Sequence, residues 1–443
     1  MIETNEKVDH FADNGFGNAV AVVQHPAGIY LNGITYVCYQ GEQEDPYVAS
    51  YDHNTKEWKG PFKAGVSEMG KDPNHKIDNH GKPSMLIDDA GYIHITFGGH
   101  GGMREHGKNP LGNYGYGKNM HVVSKKPLDI SSWEKLDNIP PFGTYNQFIK
   151  MDNGDIYLFY RHGAHRSDWV FQKSTDNGRT FNEPVLFLKH KRRDDLPAVD
   201  SWYPWITRGE EDELMVVFDY HYCSDRNVGD QENVHVPKRY DIYYMVFDTK
   251  NNVWKNVEGE RLDIPVTREL ADEKALVYRT GNDWTFQGVV DLDPEGNPHI
   301  GMTIGEEAEG GRRSVPKHMH HYKWNGVEWI HSANSGLPVG NGDIEVKSDQ
   351  NICVFIEEIN NGFGEVSRWD SEDGGETFKK AKTFLKKEKA NFAISALIEN
   401  SHPNARLIVA ERKRGTNYRK MYLLGDSGPI LRKESEAQIL KID

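Results

Sequence analysis

Short runs in which apolar and polar residues alternate, each led in by an Asp, Asn or Gly turn, recur along the whole chain. IDDAGYIHITF from Ile87, MDNGDIYLFY from Met151, LDPEGNPHIGM from Leu292 and the looser GEEDELMVVF from Gly209 each read as a turn followed by a strand of period two. Side chains on such a strand point alternately to two faces, so each run predicts a strand with one face in a core. A helical period is almost absent, the best stretch being TRELADEKAL, Thr267 to Leu276. The chain is expected to be all-β.

A second repeat marks strand ends. STDNGRTF (Ser174 to Phe181) and SEDGGETF (Ser371 to Phe378) share the pattern S-x-D-x-G-x-T-F, which resembles the Asp-box of BNR-type repeats. The pattern suits a hairpin turn: Asp bonds turn amides, Gly supplies a positive φ, and the aromatic packs between sheets. YDHNTKEW (Tyr51 to Trp58), FDTKNNVW (Phe247 to Trp254) and KWNGVEW (Lys323 to Trp329) look like eroded copies. With Trp58, Trp133, Phe181, Trp254, Trp329 and Phe378 as closing aromatics, the intervals are 75, 48, 73, 75 and 49 residues. Short intervals suit one four-stranded blade, and long ones a blade with inserted loops. A last blade from RLIVAERK and KMYLLGD is completed by an N-terminal strand. The expectation is one catalytic domain over residues 1–443, an all-β seven-bladed β-propeller of four-stranded antiparallel blades, seven blades being favoured over six.

Composition narrows the partners. With 37% hydrophobic residues the chain has enough for a packed core, and its 43 glycines agree with many turns. The net charge of -14 argues against nucleic acid, whose phosphates demand a basic footprint. No run of eighteen apolar residues is present, so no membrane-spanning helix is expected, and MIETNEKVDH is not a secretory leader. Cys38, Cys223 and Cys353 are too few and too scattered for a disulfide framework, which leaves metal-binding or buried-thiol roles. KHKRRDD (Lys189 to Asp195) and EGGRRSVPKHMHH (Glu309 to His321) read as solvated basic loops.

Loops at one face of a propeller converge although distant in sequence, and function is expected there. In DNHGKPSMLIDDAGYIHITFGGHGG, His80 precedes one strand and His100 follows the next, so a hairpin brings both to one edge, while His94 in mid-strand reads as packing. In the next blade, Tyr145 and Arg161 of GTYNQFIKMDNGDIYLFYRHGAHR occupy the same two places. Separately, DYHYCSDRNVGDQENVHV places His221 and Cys223 at i and i+2 on one strand face, with His235 beyond a polar loop. With His165 as fourth ligand this is a closed zinc site; without metal it is a loop histidine pair beside a buried thiol.

These motifs, with 20 residues from His80 to His100, 65 from His80 to Tyr145 and 16 from Tyr145 to Arg161, resemble the ulvan lyases of polysaccharide lyase family 25, a BNR-4 propeller group related to family 24. The resemblance implies β-elimination in ulvan, a sulfated anionic polysaccharide. The C5 proton of a uronate is removed and the C4 oxygen expelled, leaving an unsaturated sugar. It implies His80 and Tyr145 as the proton-transfer pair, with His100 and Arg161 neutralising the uronate carboxylate. Tyr203 in DSWYPW and Asn146 are candidate substrate contacts; Arg226, Arg239, Arg279, Arg312 and Arg313 are candidates for sulfate. Related lyases carry a structural zinc, which favours the site at His165, His221, Cys223 and His235; calcium stays open as a second ion. A polymer substrate implies a secreted or periplasmic monomer whose leader is absent from this chain. A sialidase-like glycoside hydrolase with a Tyr nucleophile and a non-catalytic carbohydrate-binding propeller are the alternatives.

Overall fold

A computed structural model describes residues 6–69, 77–78, 80–195, 198–224, 237–306, 316–332, 334–413 and 415–440. The alternating runs become antiparallel strands, as the turn chemistry dictates. Ser84–Ile87 pairs with Ile93–Phe97 across the Asp88 turn, and Thr144–Lys150 pairs with Ile156–Arg161 across the next. The one sizeable helical pattern forms Arg268–Lys274, capped by Thr267, whose side chain accepts from the Leu270 amide. Among the described residues no helix is long and apolar enough to cross a membrane.

Six sheets are each drawn from one contiguous stretch of chain: 28–63, 84–136, 144–188, 191–262, 284–331 and 341–388. The ring is completed by a composite sheet in which Ala12–Phe16, near the start of the chain, pairs with Tyr418–Gly425 near its end. The expected seven blades of four strands each are therefore corrected. Five of the contiguous sheets have four strands, the 191–262 sheet has six and gains Leu276–Tyr278 as a seventh, and the composite closing sheet has five. The reason is local. Strands Ala198–Arg208, Glu213–Ser224 and Pro237–Asp248 run to 11 or 12 residues, Lys191–Arg192 and Leu276–Tyr278 pair onto the first and third of them, and Arg261–Leu262 extends the sheet beyond Val253–Lys255. The spacing of closing aromatics counts turns and is blind to such edge strands.

Closing aromatics pack where one sheet meets its neighbour. Trp254 stacks on Phe247 at 4.6 Å and on Phe187 of the preceding sheet at 5.3 Å. Trp58 stacks on Phe11 beside the closing strand at 4.9 Å. Burying each such side chain contributes about 1.5–3 kcal/mol. Nearer the axis, innermost strands are stitched by side chains that satisfy a neighbour's backbone. Gln147 bonds Pro204 O and the Ile206 amide, Asp291 accepts from the Val346 amide, and Asp343 from the Leu397 amide.

Both Asp-boxes fold as expected. Asp176 accepts from the Thr180 amide and hydroxyl, and Asp373 repeats the arrangement at Thr377. Each box also receives a buried histidine from the blade before it. His94 Nδ1 lies 3.0 Å from His121 Nε2, and His121 Nδ1 lies 2.9 Å from Asn138, whose amide donates to Gly178 O in the first box. His299 and His321 form the same pair, also at 3.0 Å. Gly375 of the second box has φ 90°, and a Cβ there would sit 2.0 Å from His321 Nδ1. Only glycine lets the turn and the ring coexist.

Burial, with the neighbouring His94 second, pushes His121 down to about 3, so it is neutral in the fold. An unfolded histidine takes its proton near 6.5. Between those values only the unfolded chain binds the proton, so this contribution to stability is complete above 6.5 and is lost as pH falls. His121→Gln should therefore flatten the rise of unfolding free energy between about pH 4.5 and 6 by one proton, about 1.4 kcal/mol per pH unit. Urea titrations at several pH values measure this, and an unchanged slope would contradict it.

Candidate active site

The hairpin Ser84–Ile87 and Ile93–Phe97 opens toward one rim, carrying His80 before its first strand and His100 after its second. Their rings stack nearly parallel, with centroids 3.8 Å apart. Between them on one edge lies Asp78. One carboxylate oxygen meets His80 Nδ1 in a short hydrogen bond, and the other lies 2.5 Å from His100 Nδ1. Burial opposes charge on Asp78, but the bonds to His100 and His80 outweigh it and hold the carboxyl well below its usual range. Burial, ahead of the compensating Asp78, pushes His80 down to about 4, so its imidazole is neutral at pH 7. Asp78, His80 and His100 are also the described trio whose metal-ligating atoms converge within 4.8 Å.

From the adjacent sheet, Tyr145 presents its ring edge-to-face to His80 at 5.5 Å. Its placement depends on a bulge: the register of Thr144–Lys150 against Ile156–Arg161 slips between Thr144 and Gln147, and Tyr145 takes φ 60°. A non-glycine residue in this region is strained by on the order of 1–3 kcal/mol, and bulges re-aim side chains near active sites. Arg161, at the end of the partner strand, is wholly buried, 5.0 Å from the Tyr145 ring centroid and 5.4 Å from that of Tyr203. The Tyr203 hydroxyl is its nearest polar neighbour, and its guanidinium pairs with no carboxylate among the described residues. A buried cation left in this state is costly unless an anion arrives to meet it.

Tyr203 belongs to the site and not merely to a packed strand start. Its ring lies 5.4 Å from that of Tyr145, and the Arg239 guanidinium sits 3.2 Å over its face. Burial raises both phenols. For Tyr145 it prevails; for Tyr203 the fields of Arg161 and Arg239 overcome it and bring the group below its ordinary value.

A cavity of about 310 Å³ at the axis is lined by His80, Tyr145 and Tyr203, and by three residues the sequence did not single out as catalytic: Lys82, Arg239 and Glu357. Burial pushes Glu357 up to about 8 and Lys82 down to about 8. At pH 7 the wall thus carries cations and a neutral acid, although the whole chain is acidic. Such a lining suits an anionic sugar.

The remaining candidates separate. Asn146 turns from the cavity and donates to Asn119 at 2.8 Å. Arg279 is held by Asp241 and Asp272 at 2.8 and 2.9 Å. Arg226, Arg312, Arg313 and His235 lie outside the described residues. Of the metal candidates, His165 and His221 bring their rings to 5.8 Å, and Cys223 follows two residues along the same buried strand face. His165 also faces the His80 and His100 rings edge-on, at 6.3 and 5.8 Å. Asp78 gave one signal in the sequence, its place two residues before His80, where its carboxylate also accepts the His80 amide.

The model of a BNR repeat-containing family member matches residues 34–335. An ulvan lyase of Nonlabens ulvanivorans is 63% identical over 98% of this chain and 92% of the relative. A PL25 ulvan lyase of Pseudoalteromonas sp. (strain PLSV) is 54% identical over 97% of this chain and 88% of the relative. The chain belongs to the PL25 ulvan lyases. A solved PL25 ulvan lyase bound to -[GlcA(1-4)Rha3S]- superposes with a TM-score of 0.93 at 53% identity, covering 98% of this chain and all of the other. In this PL25 chain, the pair of arginines about two tyrosines yields a direct prediction. One tyrosine should ionise below the ordinary value of about 10, and Arg239→Gln should remove that early ionisation. An ultraviolet phenolate titration that is identical for both proteins would rule out the proposed field.

Proposed function

We propose that this chain cleaves ulvan by β-elimination at a uronate, breaking its bond to sulfated rhamnose at the C4 oxygen and leaving an unsaturated uronate. The observation that carries this reading is the wholly buried Arg161 guanidinium with no carboxylate partner among the described residues, set beside His80, His100 and Tyr145. The difficulty in the reaction is electrostatic. The C5 proton is weakly acidic while the adjacent carboxylate is charged, and Arg161 with His100 would neutralise that carboxylate and stabilise the enolate-like transition state. Neutral His80 has a free lone pair at Nε2 for the C5 proton. Tyr145, kept protonated by burial, is the donor to the departing oxygen. A glucuronate such as that in the solved relative has its C5 hydrogen and C4 oxygen on one face, so His80 and Tyr145, 5.5 Å apart, would work from the same side.

His165, His221, Cys223 and His235 are proposed to hold a structural zinc. The donor set fits: two imidazoles close together and a buried thiol on one strand face, all suited to tetrahedral coordination. When bound, the ion would pin the long Glu213–Ser224 and Pro237–Asp248 hairpin beside the rim. It has no part in proton transfer in this scheme.

Incubation with ulvan should raise near-ultraviolet absorbance as unsaturated uronate accumulates. New reducing ends without that absorbance would instead indicate hydrolysis. Tyr145→Phe should lower kcat by about 10²–10⁴-fold while oligosaccharide binding is retained, and substantial turnover in that variant would remove Tyr145 from its role. Elemental analysis after dialysis should find one zinc per chain, lost in Cys223→Ser together with thermal stability. A zinc-free, fully stable wild type would exclude the metal site.

A further inference from the structure

The catalytic reading leaves one buried charged group without a task. Asp78 does not itself line the cavity and has no proposed contact with the substrate, yet each of its carboxylate oxygens engages a different imidazole. Its surroundings hold it still. The Asp78 amide donates to Glu44 Oε1 at 2.5 Å, the His80 amide donates back to Asp78 Oδ1 at 3.0 Å, and Gln24 Nε2 donates to His80 O at 2.7 Å. Glu44, Asp78 and Lys82 are all buried.

An ionised carboxylate only accepts hydrogen bonds. Both Nδ1 atoms that meet it must therefore carry the hydrogen, and neutral rings so held leave the lone pair on Nε2. His100 Nε2 is buried and has no hydrogen-bond partner among the described residues, which is the state expected of a group reserved for an incoming ligand. Two oxygens of one planar group, each fixing one ring, also explain why the imidazoles lie within 11° of parallel. Resting on the roles proposed for His80 and His100, we infer that Asp78 is a positioning residue that holds both rings by their Nδ1–H groups, so that His80 Nε2 offers its lone pair to the C5 proton while His100 Nε2 shares one proton, taken up on binding, with the uronate carboxylate.

The test uses the full chain labelled with ¹⁵N-histidine, with the two rings assigned through His80→Gln and His100→Gln. In the wild type both rings should be protonated at Nδ1, and either ring found as the Nε2–H tautomer would overturn the inference without any variant at Asp78. In Asp78→Asn the carboxamide accepts from one ring but must donate to the other. One ring should then switch to Nε2–H, and kcat on ulvan should fall about 100-fold or more with KM within about threefold. A purely structural role would lower the melting temperature and leave tautomers and the kcat-to-KM split alone. Asp78→Asn with both rings still Nδ1–H and wild-type kcat would overturn the inference. The turnover of His80→Gln and His100→Gln bears separately on the chemistry. Full activity there would sink the proposed proton transfer, while the tautomers would still decide whether Asp78 sets the rings.

Discussion

Closure of the ring is the constraint on which the rest depends. An open series of sheets would expose an edge at each end and leave the innermost strands free to splay. The pairing of Ala12–Phe16 with Tyr418–Gly425 ties the first residues to the last. Arg432, buried at this seam, donates to Phe11 O and Gly60 O and so fastens the closing sheet to its neighbour. With the circle closed, the stitches from Gln147, Asp291 and Asp343 all point toward one axis. Residues far apart in sequence, from Gln24 to Glu357, then line a single cavity.

That geometry resolves an apparent conflict in charge. An acidic chain repels a sulfated, carboxylated polymer at long range, and such repulsion is screened beyond roughly 10 Å at ordinary salt. Within that distance the local arrangement prevails. Arg161, Arg239 and Lys82 supply positive charge at the cavity, Asp78 is engaged by two imidazoles, and burial keeps Glu357 neutral. Aromatic faces shield the two arginines from bulk water, so their field acts on whatever enters and is little screened.

The legible parts were those written in local chemistry. Ser174, Asp176, Gly178 and Thr180 spell a turn because their own side chains satisfy it. Thr267 announces its helix in the same way. The convergence of His80, His100, Tyr145 and Arg161 at one rim was recoverable because each stands at the end of a recognisable strand. The extra strands of the 191–262 sheet were not legible, since a two-residue edge strand such as Lys191–Arg192 has no period to detect. Lys82 and Glu357 were hidden, and Arg239 stood out only as one of five candidates for sulfate, for another reason: their meaning arises only when separate blades meet at the axis. Asn146 beside Tyr145 gave no sign in the sequence of its own bond: past the bulge at Tyr145 its amide donates to Asn119.

The strained backbone at Tyr145 bears on how this enzyme evolves. A residue held at φ 60° is disfavoured in the folded state by an amount that most single substitutions elsewhere would have to make up. Selection for heat resistance alone would tend to replace this tyrosine with glycine or asparagine, or to delete the bulge. On the role proposed for Tyr145, the product would be a tougher propeller with an idle rim. On that same proposed role, an aromatic phenol at so unwelcoming a position marks a place where turnover is bought with stability.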